Sequence, residues 1–74
     1  MRYAIVIEKG GNNCSAYCPD LPGCAATGKS VEDTIREMQE AIAFHLEGMR
    51  EDGEPIPPPT SEVAYVDVAD EPRP

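Results

Sequence analysis

The sequence predicts a small α+β domain of order β-β-β-α-β, in which a mainly antiparallel sheet carries one long helix on one face. Three observations predict this class. Residues 2–9 and 62–68 are rich in β-branched and aromatic side chains, which favour strands. Apolar residues recur at spacings of three and four between positions 31 and 49, as in an amphipathic helix. Gly and Pro punctuate the segments between them, so the elements are short and pack as one layer on another.

The first three strands are predicted from alternation and turn residues. Residues 2–9 form the first strand and lead into Gly10–Asn13, a run that tolerates positive φ. The weaker strand at 14–18 then completes a β-hairpin. Pro19–Gly23 interrupts regular structure, because proline removes backbone donors. Residues 24–28 form a short third strand.

The helix has recognisable start and stop signals. Ser30 is a suitable N-cap, and Asp33 three residues later resembles a capping box. The helix should end near Asp52, because Gly53 is a good C-terminal cap and Pro55 follows. Its predicted core stripe consists of Val31, Ile35, Met38, Ile42, Leu46 and Met49.

Gly48 lies inside the predicted helix. A glycine there costs about 1 kcal/mol relative to alanine, which indicates either close packing or local weakness at this position.

The C-terminal third is predicted to return the chain to the sheet. Residues 55–59 contain four prolines and form a stiff spacer or, alternatively, a docking motif for an aromatic groove. The fourth strand at 62–68 completes one domain over residues 1–68, and residues 69–74 are predicted to be a disordered tail.

Size and charge exclude several classes of protein. The chain has 74 residues, a formal net charge of −8 and six scattered Lys and Arg residues, so direct binding of free nucleic acid is not expected. A basic protein partner suits this charge better. Neither a membrane-spanning segment nor a signal peptide is readable, and we expect a cytoplasmic protein. Three cysteines cannot all pair within the chain, so reduced thiols are expected.

The three cysteines and the single histidine are candidates for a metal site or a catalytic site. Cys14, Cys18 and Cys24 with His45 could bind zinc, but their spacing is wider than that of common zinc knuckles. The alternatives are small apolar residues facing the core or a reactive thiol. His45, the only histidine, lies at the border of the helical stripe and has no readable nucleophile partner.

A metal-dependent nuclease would need several inward-facing acids. Glu8 ends a strand and Asp20 lies in the Pro-Gly loop, while the other acids lie on the helix or further along the chain. The sequence therefore predicts no catalytic residue, no metal site and no cofactor.

The helix surface opposite the core stripe is acidic. Phe44, the only phenylalanine, lies at its centre. This face is either a solvated surface with one tolerated aromatic or an aromatic anchor for a protein partner or a second protomer. Its acids fall within an arc of roughly 80° and are Asp33, Glu37, Glu40, Glu47 and Glu51.

Two motifs resemble one known family. Pro19–Cys24 reads P-D-L-P-G-C, and Gly53–Pro57 reads G-E-P-I-P. Together with the helix between them, they resemble the HicB-like antitoxin family over residues 1–68. The resemblance implies a partial RNase-H-like fold that has lost its nuclease site, and dimers or tetramers.

The resemblance also implies a function and a partner. The chain would be an antitoxin that binds and masks a small basic HicA-type toxin, an mRNA-cleaving protein, by stoichiometric occlusion. Many members continue into a DNA-binding domain; this sequence stops at Pro74, so direct DNA binding is not expected. A stand-alone regulatory or structural oligomer without a toxin is the alternative, followed by a metal-dependent nuclease. The candidate partner-binding residues are Asp20, Glu37, Glu40, Phe44, Glu47 and Glu51.

Overall fold

A computed structural model describes residues 1–70, in which three strands are followed by one helix. The strands are β1 (Val6–Lys9), β2 (Cys14–Tyr17) and β3 (Ala25–Gly28), and the helix is α1 (Val31–Glu51). Both strand pairs are antiparallel, and β2 lies between β1 and β3. The α+β class and the order of these four elements are confirmed.

The hairpin between β1 and β2 is closed by a four-residue turn. Lys9 pairs with Cys14, and the Gly10 N–H donates to the Asn13 carbonyl at 2.8 Å. Positive φ occurs in the described residues only at Gly23 and Gly53. The turn is therefore built without the left-handed residues that its sequence suggested.

One face of the sheet is buried and the other is open. Along β2, Cys14 and Ala16 are buried beneath α1 while Ser15 and Tyr17 are exposed on the opposite face. This alternation is what a sheet covered on one face requires. All three cysteines are buried free thiols, as expected for small apolar core residues. Burial, with the neighbouring Cys18 as a second cause, raises the pKa of Cys24, which makes that thiol a poor nucleophile.

The Pro19–Gly23 loop folds over one end of the core. The Leu21 side chain is completely buried, although no local pattern indicates that a residue of this loop would be central to the core. Backbone hydrogen bonds within the loop run from Leu21 N–H to the Cys18 carbonyl and from Cys24 N–H to the Leu21 carbonyl. The core cluster consists of Ala16, Cys18, Leu21, Cys24, Met38 and Leu46.

Helix α1 begins and ends where its capping residues predict. The Ser30 hydroxyl accepts the Asp33 N–H at 3.1 Å, which satisfies one of the donors left free at a helix start. At the other end Gly53 has φ of 72° and donates its N–H to the Arg50 carbonyl at 3.1 Å. Only glycine adopts this conformation cheaply.

The buried stripe of α1 differs from the predicted one at its N-terminal end. Thr34 and Met38 are fully buried, whereas Ile35 is 45% exposed. Ile35 shares its flank of the helix with Ile42 and Leu46, which border an open groove with residues near the N-terminus of the chain. This flank, on the β1 side of the molecule, is therefore only partly covered.

The segment after α1 packs on the body and then leaves it. Ile56 packs against the core, and the Tyr3 hydroxyl donates to the Pro57 carbonyl. Residues 62–70, here called the arm, have no regular secondary structure and are exposed throughout, so the strand predicted at 62–68 does not form within this chain. Residues 71–74, the rest of the predicted tail, lie outside the described part.

Among residues 1–70, no helix is both long enough and apolar enough to cross a membrane.

Gly28 sets how closely the start of α1 approaches β3. A Cβ at this position would lie 2.6 Å from the backbone nitrogen of Thr34 and 2.6 Å from its hydroxyl oxygen. Thr34 cannot retreat, because it is fully buried and its hydroxyl donates to the Ser30 carbonyl at 2.7 Å.

We predict that Gly28→Ala lowers the free energy of unfolding by about 1–3 kcal/mol, the usual cost of overpacking. Urea denaturation followed by circular dichroism measures it. Gly11→Ala is the matched control, because a Cβ there meets nothing within 4 Å, and it should change stability by less than about 0.5 kcal/mol. Equal stability of the two variants would contradict this role for Gly28.

Candidate functional site

An open groove of about 440 Å³ lies between the C-terminal half of α1 and the start of β3. We call it the α1–β3 groove. Most of the residues that line it are small or apolar. Asp52 and Glu54, just after the end of α1, add two carboxylates. The edge of β3 that faces away from β2 has no strand partner in the described residues. The remaining lining residues are Gly23, Cys24, Ala25, Ala41, Phe44, His45, Gly48 and Met49.

Two glycines border open space in this groove. A Cβ at Gly48 would meet nothing within 4 Å, and neither would one at Gly23. Of the two explanations for Gly48, close packing is therefore wrong, and local weakness of the helix stays a prediction. The open space at both glycines leaves room for a partner side chain.

Phe44 lies at the rim of the groove. Its side chain is 79% exposed, which is a large apolar surface to leave in water on a helix with few other exposed apolar groups. On the helical wheel the groove residues Ala41 and Gly48 lie to one side of Phe44, and Glu40, Glu47 and Glu51 lie to the other. A partner that covers Phe44 would therefore also meet the acids.

The acidic row is exposed along α1. Glu37, Glu40, Glu47 and Glu51 are all solvent-exposed. In residues 1–70 the one ion pair joins Asp33 to Arg36 in the first turn of the helix. Within the described residues, none of these four glutamates takes part in an ion pair. Like charges at such spacings on a helix are mildly destabilising.

Asp20 does not join this surface. Its carboxylate accepts four hydrogen bonds from residues 40 and 41 positions away in the chain. The Thr60 N–H and hydroxyl lie at 3.1 and 3.2 Å, and the Ser61 N–H and hydroxyl lie at 3.0 and 2.9 Å. These bonds, first the one from the Ser61 backbone, lower the pKa of Asp20. Its observed contacts tie the loop to the C-terminal segment; partner binding by Asp20 stays a prediction.

The candidate zinc residues are not brought together as a set. All three cysteines are buried, and of these only Cys24 borders the groove that half-buried His45 also lines. Within residues 1–70, no group of three or more His, Cys, Asp or Glu side chains is placed to hold a metal ion. Sequence reasoning missed the groove itself; the glycine within the helical pattern was the one signal that could have indicated it.

Residues 3–72 match a family model described as the HicB-like antitoxin of bacterial toxin-antitoxin systems. This match covers nearly the whole chain and includes every element of the fold. No solved structure matches the chain.

Curated relatives come from phages, bacteria and archaea. The chain is 42% identical over 57 residues, 77% of its length and 43% of the relative's, to an uncharacterised 14.9 kDa protein of Haemophilus phage HP1. It is 43% identical over 47 residues, 64% of its length and 65% of the relative's, to a UPF0150 protein of Helicobacter pylori. A UPF0150 protein of Archaeoglobus fulgidus is 40% identical over 57 residues, 73% of this chain and 83% of that protein. The matched part thus spans less than two thirds of the phage and Helicobacter proteins.

We predict that Asp20→Asn releases the C-terminal segment, because the amide turns one acceptor oxygen into a donor that faces other donors. The variant should melt at a lower temperature and be cleaved faster by protease after residue 57. Asp67→Asn is the control, since Asp67 is exposed on the arm.

The stability that Asp20 contributes also depends on pH. Its pKa is lower in the folded than in the unfolded chain, so the contribution is complete at neutral pH and is lost as the pH falls from about 5 through the folded pKa. The Asn variant should lack this component between neutral and acid pH. A wild-type pH profile in Asp20→Asn would contradict this role.

Proposed function

The chain belongs to the HicB-like antitoxins of bacterial toxin-antitoxin systems, and from that premise we propose that it captures and masks a small basic, mRNA-cleaving toxin of the HicA type. Capture is stoichiometric: one protein surface covers the RNA-binding surface of the other. The proposed contact surface is the α1–β3 groove together with the acidic row, centred on Phe44.

Exposed Phe44 is the observation that carries this proposal. Interfaces commonly combine an aromatic anchor with a polar rim that excludes water. Here the anchor is 79% exposed and stands beside a groove whose glycines leave room for a partner side chain. The edge of β3 next to the groove has no strand partner in the described residues, so it can offer backbone groups to the same partner.

The charge of the surface fits a ribonuclease as the partner. A protein that binds RNA presents Lys and Arg to the phosphates. Glu37, Glu40, Glu47 and Glu51 present carboxylates in their place. They are exposed, and within residues 1–70 none of them is in an ion pair. Complementary charge of this kind raises the rate of encounter and competes directly with RNA.

We propose binding without catalysis, on a partial RNase-H-like framework in the cytoplasm. The nuclease alternative predicts that the isolated chain cleaves labelled RNA when Mg²⁺ or Mn²⁺ is added, and cleavage would contradict our proposal. The stand-alone alternative predicts that no small basic toxin is encoded beside this gene.

The acidic row gives a prediction that depends on salt. Glu47→Lys should weaken capture of the neighbouring HicA-type toxin, and the wild-type affinity should fall as salt rises, because exposed charges are screened. Titration by isothermal calorimetry at low and high NaCl measures both. Glu32→Lys is the matched control: it makes the same charge change on the same helix, outside the acidic row. Equal losses in the two variants would rule out a localised contact.

Phe44 gives a prediction that does not depend on salt. Phe44→Ala should cost about 2 kcal/mol of binding, the size of an interface hot spot, and leave folding intact because the ring is exposed. Tyr17→Ala is the control, an exposed aromatic on the open face of the sheet. An unchanged dissociation constant for Phe44→Ala would remove this residue from the contact surface.

A further inference from the structure

The arm is a strand-like sequence that pairs with no strand among residues 1–70. Its side chains alternate, with Val63 and Tyr65 on one side and Ala64, Val66 and Val68 on the other. Val66 and Val68 are each 82% exposed and Tyr65 is 95% exposed. Apolar residues on both sides of one strand are typical of a strand that is covered on both faces. The longest dimension of the molecule is 59 Å, whereas a helix of 21 residues is only about 32 Å long. Part of the chain therefore extends well beyond the ends of α1.

The same chain also carries an incomplete sheet edge. β1 is an edge strand, and residues 2–5 precede it without a ladder partner in the described residues. The first arm residues face residues 2–5 across an open cleft of about 680 Å³. Within residues 1–70, no backbone hydrogen bond joins the arm to this strand. Each segment thus keeps free backbone groups, which is costly when a hydrophobic strand is left at an edge.

We propose that the arm of one copy adds as a strand to the β1 edge of a second copy, and that the exchange is reciprocal. The interface is then two-fold symmetric and closed, because each chain supplies one arm and one edge. The four-stranded sheet that the sequence predicts is completed between chains rather than within one.

Charge favours a second copy at this edge. Residues 2–9 carry Arg2 and Lys9 against one acid, Glu8, whereas the acids of the arm are Glu62, Asp67 and Asp70 and it has no Lys or Arg. The two segments therefore have opposite net charge. Opposite charges on neighbouring strands stabilise a pair. The acidic row on α1 would repel its own copy, so self-association through Phe44 is disfavoured while this edge is suited to it.

Packing favours the same arrangement. Ile35 is 45% exposed on the flank of α1 that faces the β1 side. A fourth strand beside β1 would extend the sheet beneath this flank, and one apolar side of the arm would turn toward the helix. The other apolar side would lie on the open face of the sheet, next to half-exposed Val6.

The experiment uses the chain alone, so its failure leaves toxin capture untouched. We expect a concentration-dependent dimer in analytical ultracentrifugation. In a mixed sample of ¹³C-labelled and unlabelled full-length chains, isotope-filtered NOEs should join the methyl groups of Val66 or Val68 to residues 6–9 of the other chain. Val66→Asp should raise the dimer dissociation constant about tenfold or more, since it places a carboxylate in an apolar interface.

Asn12→Asp is the matched control, because it adds the same charge in the exposed hairpin turn, and it should leave the dimer unchanged. Val66→Asp should keep the wild-type circular dichroism, because the side chain it replaces is exposed in the single chain. A monomer at every concentration would overturn the proposal. So would NOEs from the arm only within one chain, or a dimer that Val66→Asp does not weaken.

Discussion

The carboxylate of Asp20 is the contact on which the arrangement of the rest depends. It holds Thr60 and Ser61 with four hydrogen bonds, and so joins the loop between β2 and β3 to a segment 40 residues further along the chain. The loop also carries fully buried Leu21, so its position is fixed from inside the core and from the C-terminal side at once. Because the Asp20 carboxylate accepts two consecutive backbone N–H groups, it satisfies backbone donors as a neighbouring strand would. This contact determines the point at which the arm leaves the rest of the domain.

The sheet is small, and its two open edges have different neighbours. The β3 edge lies beside the α1–β3 groove, close to the acids of the helix. The β1 edge, together with residues 2–5 before it, carries Arg2 and Lys9 against one acid, Glu8. Because β2 separates the two edges, a partner on one leaves the other free. A domain of this size buries a thin core, so covering either edge also adds stability by mass action.

The sequence specifies the local structure well and the distant contacts poorly. Helix α1 follows its apolar period and its caps, because Ser30 and Gly53 act within a few residues of themselves. Leu21 and Asp20 lie in a loop, and their partners are set by the tertiary fold, which no local pattern reports. The groove could not be predicted either, because it is a space between α1 and the start of β3 that exists only once the helix has packed on the sheet. The acidic row was readable because it needs only helical geometry.

The predicted fourth strand shows what strand propensity alone does not predict. Residues 62–68 have the composition of a strand, yet the described chain leaves them unpaired and exposed. Propensity in strands measures how well side chains fit beside neighbours on a pleated surface, and it does not say which chain supplies those neighbours. Within one copy, Asp20 already holds Thr60 and Ser61, immediately before the arm, so the direction in which the arm leaves is constrained. A segment that is strand-like in sequence and unpaired in its own chain is therefore better understood as half of an interface than as a failed element.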